Sequence, residues 1–265
     1  MDLSRVRAVE DANLNGFPSE MQAVDRAWLV RLSPGNPARR VNSLNVLDPA
    51  DDADTQTRLT RAQALFAAHD VPFHLRWTPL TPPALVAHVD AAGWPRVGET
   101  DVWVRDIDPV AERPQDPAGL AARIEAVDLD AWIAAFGAIG GTRPEAVTPV
   151  ALDRLRAALS RVAVSLVCLR ARVPSGEIAG VAVAVADGDL LGIYDLAVAP
   201  AARRTGLGSR LVAECLAQGR GQGCRTAWLQ VTRENAPARA LYARLGFVPA
   251  YSYHYRHPPA DAAPT

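Results

Sequence analysis

The residues from Leu191 to Gly208 constrain what this chain can fold into. An apolar, strand-like segment, Leu191-Gly192-Ile193-Tyr194-Asp195-Leu196-Ala197-Val198, runs through Pro200 and the paired Arg203 and Arg204 into Gly206 and Gly208. A helical pattern with Leu207, Leu211, Val212, Cys215 and Leu216 on one side follows at once. Strand, glycine-bearing turn and helix in immediate succession belong to a sheet with helices packed on it. The start of such a helix presents backbone N–H groups without intrahelical partners and the positive end of the helix dipole, which suits a phosphate or pyrophosphate.

The rest of the chain supplies the other elements of a mixed sheet. After the turn come a strand at Trp228-Leu229-Gln230-Val231, Asn235 at the cap of a helix over Pro237–Leu245, and a last strand containing Tyr251 to His257. Before it, strands are expected at 121–127, 163–172 and 177–185. Helices are expected after Asp128 or Asp130, which can cap the one carrying Trp132, Ile133 and Phe136, and over 150–159. At 265 residues there is room for two such units. A net charge of -1 argues against a nucleic-acid surface. No apolar run reaches the roughly 18 residues of a membrane span. The charged start (Asp2, Arg5, Arg7) is no signal peptide, so a cytoplasmic location is expected. Cys168, Cys215 and Cys224 are too scattered for a disulfide framework or a metal site, and no metal is expected.

Taken together, Arg203-Arg204-Thr205-Gly206-Leu207-Gly208, the preceding Val198-Ala199-Pro200, Asn235 and Ala240-Leu241-Tyr242-Ala243-Arg244-Leu245-Gly246-Phe247 resemble the acyl-CoA signature of the GCN5-related N-acetyltransferases. That resemblance implies a co-substrate, acetyl-CoA, with its pyrophosphate on the amides of Arg203, Arg204, Thr205, Gly206, Leu207, Gly208 and Ser209. The pantetheine arm would pair with Leu196, Ala197 and Val198 like an added strand, and Asn235 would touch the cofactor as well as cap its helix. Tyr242 falls on the family's proton-donor position, beside the departing sulfur. All 28 basic residues are arginine. That is either coding bias or a way for an acetyltransferase to avoid modifying its own side-chain amines.

Ahead of residue 108 the order strand, helix, short strand, helix, Gly-aromatic, strand recurs. Ala91-Ala92-Gly93-Trp94-Pro95 echoes Arg244-Leu245-Gly246-Phe247-Val248-Pro249. A hairpin is expected from strands over 26–33 and 39–47 across Pro34–Pro37, and helices over 54–69 and 83–92. Arg40-Val41-Asn42-Ser43 is similar to a pattern of a two-part subgroup of the same family. The expected architecture is therefore an α+β mixed sheet, a tandem GNAT-like acyl-CoA N-acyltransferase fold with a degenerate first copy. Its parts would be a segment 1–20, a degenerate domain 21–108 without the glycine turn, a linker 109–117, a catalytic domain 118–257 and a disordered tail 258–265.

No obvious general base stands where the family often places Glu or His, because those positions are Gly192 and Tyr194. Asp195 has the right chemistry but the opposite strand parity. His254, Glu177, a water chain or the first half are further sources of a base or a substrate contact. The expected function is transfer of an acetyl group to a primary amine, small molecule or protein, by direct attack in a ternary complex. A non-catalytic acyl-CoA-binding or regulatory protein and a transferase for a longer acyl group are the alternatives, and the chain would be a monomer or a homodimer.

Overall fold

The computed structural model describes residues 1–108, 121–141 and 144–259. The expected linker 109–117, Thr142, Arg143 and residues 260–265 of the expected tail lie outside the described residues. Helix α1 (Leu3–Gly16) is followed by β1 (Met21–Asp25), β2 (Trp28–Leu32), β3 (Ser43–Val46), α2 (Thr55–Ala68), β4 (Leu75–Trp77), α3 (Pro83–Ala91) and the long β5 (Arg96–Asp106). The second half runs β6 (Arg123–Val127), α4 (Leu129–Ala138), α5 (Pro149–Leu159), β7 (Ser165–Arg172), β8 (Ile178–Asp187) and β9 (Leu190–Val198). It ends with α6 (Leu207–Gly221), β10 (Thr226–Thr232), α7 (Ala236–Arg244) and β11 (Val248–Arg256).

All these strands join one 11-stranded mixed sheet in the order β1-β2-β3-β4-β11-β5-β10-β9-β8-β7-β6. The sequence boundary at residue 108 is therefore not a boundary of the sheet. Strand β5, from the first half, lies antiparallel between β10 and β11 of the second. Strand β11 in turn pairs with β4, so each half completes the other.

Strand alternation sorts the core onto two faces. Leu191, Ile193, Leu229 and Trp103 pack with α6 and α7 on one face, and Val181, Val183, Val185 and Trp228 pack with α1, α4 and α5 on the other. In the first half Leu44 and Leu75 pack against α2 and α3, while Arg76, one residue along β4 from Leu75, turns towards α1.

The echo between the halves is geometric as well as sequential. Strands β3 and β4 are parallel neighbours, as are β9 and β10. Gly93 after α3 and Gly246 after α7 both take positive φ, 67° and 80°. The next amide in each case returns to the helix, Trp94 to Val89 and Phe247 to Tyr242, at 3.0 Å. This is the glycine helix stop with an aromatic packed behind it.

Three details depart from the sequence reading. Strand β1 has no apolar alternation, because it is an edge strand with mostly exposed side chains. Arg26, expected inside a strand, takes φ 53° in the turn between β1 and β2. Residues 39–41 form a 3-10 turn rather than a strand, and the Asn42 side chain accepts from the amide of Ser33 at 2.6 Å to hold the Pro34–Pro37 loop.

Helix α1 is also not a separate leader. It lies against β8 and β9 and seals a buried polar layer across both halves. Glu10 accepts from Arg76 Nε and Nη2 at 2.8 and 2.9 Å and from the Tyr251 hydroxyl at 2.7 Å. The Arg76 guanidinium lies 3.5 Å over the Tyr253 ring. Tyr253 donates to Gln230 at 2.6 Å, and Gln230 donates to Asn13 at 2.7 Å.

Removing one partner of a buried ion pair leaves an uncompensated charge and costs about 3–5 kcal/mol. Glu10→Ala is expected to lower the unfolding free energy by about that amount in urea titration. Glu10→Leu combined with Arg76→Met should recover most of the loss. A Glu10→Ala effect below about 1 kcal/mol would show that the pair does not hold the halves together.

The seam between β4 and β11 has a pH dependence of its own. His254 stacks on its pairing partner Trp77 with ring centroids 4.7 Å apart. Burial, with Arg96 and Arg256 nearby, pushes its pKa from 6.5 down to about 4. His74 is likewise lowered to about 4 by burial and then by Arg39. Both rings are neutral in the fold, so the unfolded chain binds protons first. Stability is full above pH 6.5, falls as the pH drops towards 4, and levels off below. Denaturant midpoints between about pH 7 and 5, above the main carboxylate range, should fall with acidification. The His74→Gln, His254→Gln double variant should flatten that slope, and an unchanged slope would refute the assignment.

Candidate functional site

Strand β9 pairs with β10 only from Leu190↔Thr226 to Ile193↔Leu229. Beyond that point β9 continues on β8, through Val181↔Ala197 and Gly180↔Val198, while β10 continues on β5 to Thr232↔Thr100. The two strands splay, and among the described residues no strand lies beside the β10-facing edge of Leu196, Ala197 and Val198. A cleft of about 430 Å³ opens there.

The turn after β9 forms the next wall. Arg204 and Gly206 have positive φ, 66° and 84°. Gly206 begins α6, and no side chain caps that helix. Its first-turn amides are therefore free of intrahelical and side-chain partners. A side chain on Gly206 would be strained by the backbone, whereas a Cβ on Gly208 would come within 3.3 Å of the Leu241 side chain, which would have to shift by a few tenths of an ångström.

Of the residues expected to hold the cofactor, Leu196, Ala197, Val198, Arg203, Arg204, Gly206, Gly208, Ser209 and Asn235 line this cleft. Thr205 and Leu207 do not line it through their side chains. Thr205 donates to Ala202 at 2.7 Å, and Leu207 is buried in the core below the helix. Asn235 also caps α7, accepting from the amide of Ala238 at 3.2 Å. Tyr242 lies in the cleft wall with its ring against Phe247, and burial followed by the neighbouring Cys215 raises its pKa to about 12. The sequence reading missed Gly141, Ala202, Pro237, Ala238, Leu241 and Arg244, which complete the lining. Ala238 stands three residues before Leu241 and four before Tyr242, so helical spacing could have found both.

The candidate bases separate. Tyr194 is 8% exposed, edge-on to Trp228 with centroids 5.5 Å apart and packed against Gly16 of α1. Burial raises its pKa far above the ordinary tyrosine value. The space at Gly192 is filled by the Tyr194 and Trp228 rings.

Asp195 sits in a β-bulge with φ 46°, where the β8–β9 register shifts between Val181 and Val183. A bulge adds a residue and resets the alternation, so the parity argument against Asp195 does not hold. Its carboxylate is turned to the α1 side, where Oδ1 lies 3.8 Å from Arg40 Nη2. Its Oδ2 is buried with no hydrogen-bond partner among the described residues. None of Tyr194, Asp195 and His254 is among the cleft residues, and His254 is at the β4–β11 seam. Glu177 is exposed in the β7–β8 turn beside Ser175.

Among the described residues no cluster of three or more His, Cys, Asp or Glu side chains could hold a metal ion, and no helix is long and apolar enough to cross a membrane.

Residues 137–247 match the family described as Acetyltransferase (GNAT) family. The ribosomal protein bS18-alanine N-acetyltransferase of Escherichia coli (strain K12) is 33% identical over 87 residues, which is 33% of this chain and 59% of the relative. A GCN5-related N-acetyltransferase from Kribbella flavida superposes with TM-score 0.71 at 20% identity over 97% of this chain and 96% of its own. A tandem GNAT protein from the clavulanic acid biosynthesis pathway superposes with TM-score 0.67 at 17% identity over 96% of this chain and 86% of its own. Residues 137–247 thus match the acetyltransferase (GNAT) family, and the chain as a whole shares the fold of a GCN5-related N-acetyltransferase and of a tandem GNAT protein.

Proposed function

We propose that the protein is an acetyl-CoA-dependent N-acetyltransferase in which a primary amine attacks the thioester directly in a ternary complex. The observation that carries the reading is a single cleft bounded by an unpaired strand edge, the uncapped N-terminus of α6 and Tyr242. The strand edge suits an extended amide-bearing arm. The helix start suits a pyrophosphate, with Arg203 and Arg204 adding charge. The amine-acetylating relative and the family match support the same chemistry.

In the reaction the amine nitrogen forms a bond to the thioester carbonyl carbon, and the oxygen takes the negative charge. In this reading backbone N–H groups at the head of the cleft stabilise that oxyanion. The C–S bond then breaks, the carbonyl re-forms and Tyr242 returns a proton to the thiolate. Asp195 accepts the proton lost by the amine, through its unpartnered Oδ2. Residues 118–257 form the catalytic unit in this reading. Residues 21–108 form a degenerate copy that supplies β5 and, through Arg40, a wall of the acceptor side.

Acetyl-CoA is expected to raise the melting temperature of the full chain, and no shift would remove the reading. Tyr242→Phe should lower kcat about 10- to 1,000-fold with little change in acetyl-CoA affinity. Asp195→Asn should lower kcat and leave cofactor binding intact. Thiol release at the unchanged rate in either variant would strip that residue of its role.

A further inference from the structure

On the far side of the sheet from α6, charges from both halves meet around the Asp195 bulge without balancing. Arg31 is 1% exposed, and its guanidinium donates to the carbonyls of Arg40 and Phe17. Its Nε has no partner among the described residues. Glu10, a carboxylate that acts on it, is already engaged on both oxygens by Arg76. Arg31, Arg76 and Glu10 thus leave one buried positive charge in excess.

Beside them Arg40 is stacked 3.6 Å over the Phe17 ring and is one-third exposed. It stands 3.8 Å from Asp195, too far for a hydrogen bond. Tyr194, whose titration responds to Arg40, Arg31 and Asp195, has a buried hydroxyl with no partner among the described residues. Asp195 Oδ2, the Tyr194 hydroxyl and Arg31 Nε thus lack partners among the described residues, and Arg40 stands beside Asp195 without a hydrogen bond to it. Buried polar groups are as a rule hydrogen-bonded, and unpaired ones are costly. A plain amine would satisfy the carboxylate and deepen the positive excess. A ligand with an ammonium and a carboxylate satisfies both sets.

We propose that the acceptor is an amino-acid-like zwitterion. Its amine is held at Asp195, its carboxylate is held by Arg40 from the first half, and Arg31 acts as a positioning residue that fixes Arg40 through its backbone carbonyl. The proposal rests on the acetyl-transfer reading and names the substrate class for that site.

The test is thiol release by the full chain with acetyl-CoA and the twenty common amino acids, β-alanine and 4-aminobutyrate, each compared with its carboxamide. At least one free acid should be acetylated with kcat/KM about tenfold or more above its carboxamide, because a site built for a charged group rejects the analogue lacking it. Arg40→Ala should collapse that acid-to-amide ratio to within about threefold, mainly through KM, and Arg40→Lys should restore part of it. Carboxamides used as well as the acids, or an Arg40→Ala loss equal for both, would overturn the proposal. So would the absence of turnover of any of these acids by a protein whose melting temperature acetyl-CoA raises. If acetyl-CoA gives no shift, the acetyl-transfer reading fails instead. Calorimetric titration of the same acids then decides the zwitterion site alone, and no binding overturns it.

Discussion

Strand β9 cannot serve two neighbours along its whole length, and the rest of the site follows from that. Strand β8 keeps it to Val198, while β10 is bound to β5 over Thr226–Thr232 and leaves β9 after Ile193. Twisted strands held to different partners diverge. The bulge at Asp195 lets β9 stay on β8 while the alternation resets. Peptide groups that would have met β10 face a cleft instead, and groups of that kind need partners. The jaw opposite β9 is held by β5, a strand from the other half of the chain. The cleft in the second half is therefore as much a product of the first half as of its own sequence.

The same dependence runs through α1. A helix lying over a junction of strands from both halves could slide if its contacts were only apolar. Glu10 and Asn13 pair once each with groups on β4, β10 and β11, so one placement satisfies them all. That placement sets the C-terminal end of α1 against the bulge. Gly16 has no side chain because the Tyr194 ring occupies that space. Phe17 supplies the ring on which Arg40 lies and the carbonyl to which Arg31 donates. Order in the polar layer is thereby passed to the groups around Asp195.

Much of this was legible in the residues, and what was not has identifiable causes. The glycine turn, the Asn235 cap and the Gly246 stop are local devices, each needing a particular residue at a particular backbone angle, so spacing displays them. Strand β1 was hidden because edge strands need no apolar face. The residues 39–41 looked like a strand because Val41 and Leu44 are buried, although the side chain of Asn42 holds the chain in a turn there. The strand parity expected at Asp195 is interrupted for a sharper reason. Strand parity assumes an uninterrupted ladder, and nothing in Tyr194-Asp195-Leu196 announces a non-glycine residue at φ 46°. Arg40 stood out in the Arg40-Val41-Asn42-Ser43 pattern, but its nearness to Asp195 depends on how two distant segments pack.

The first half shows what is lost when only the local devices change. It retains a parallel pair, β3 and β4, a following helix stop at Gly93, and an aromatic behind it. Where the second half has arginines and glycines before α6, the first half has Asp48, Asp51, Asp52 and Asp54 before α2. Those carboxylates already complement the positive end of the helix. Asp51 is further held by Arg58 at 2.7 Å, which keeps its carboxyl below the usual aspartate range. A pyrophosphate approaching α2 would meet like charge, and Arg58 is already engaged by Asp51 and by Asp25 at 2.9 Å. The start of α2 is thus charged against an anion, although the parallel strand pair beside it matches that of the second half. What remains of that half acts through geometry, by placing β5 beside β10 and Arg40 beside Asp195.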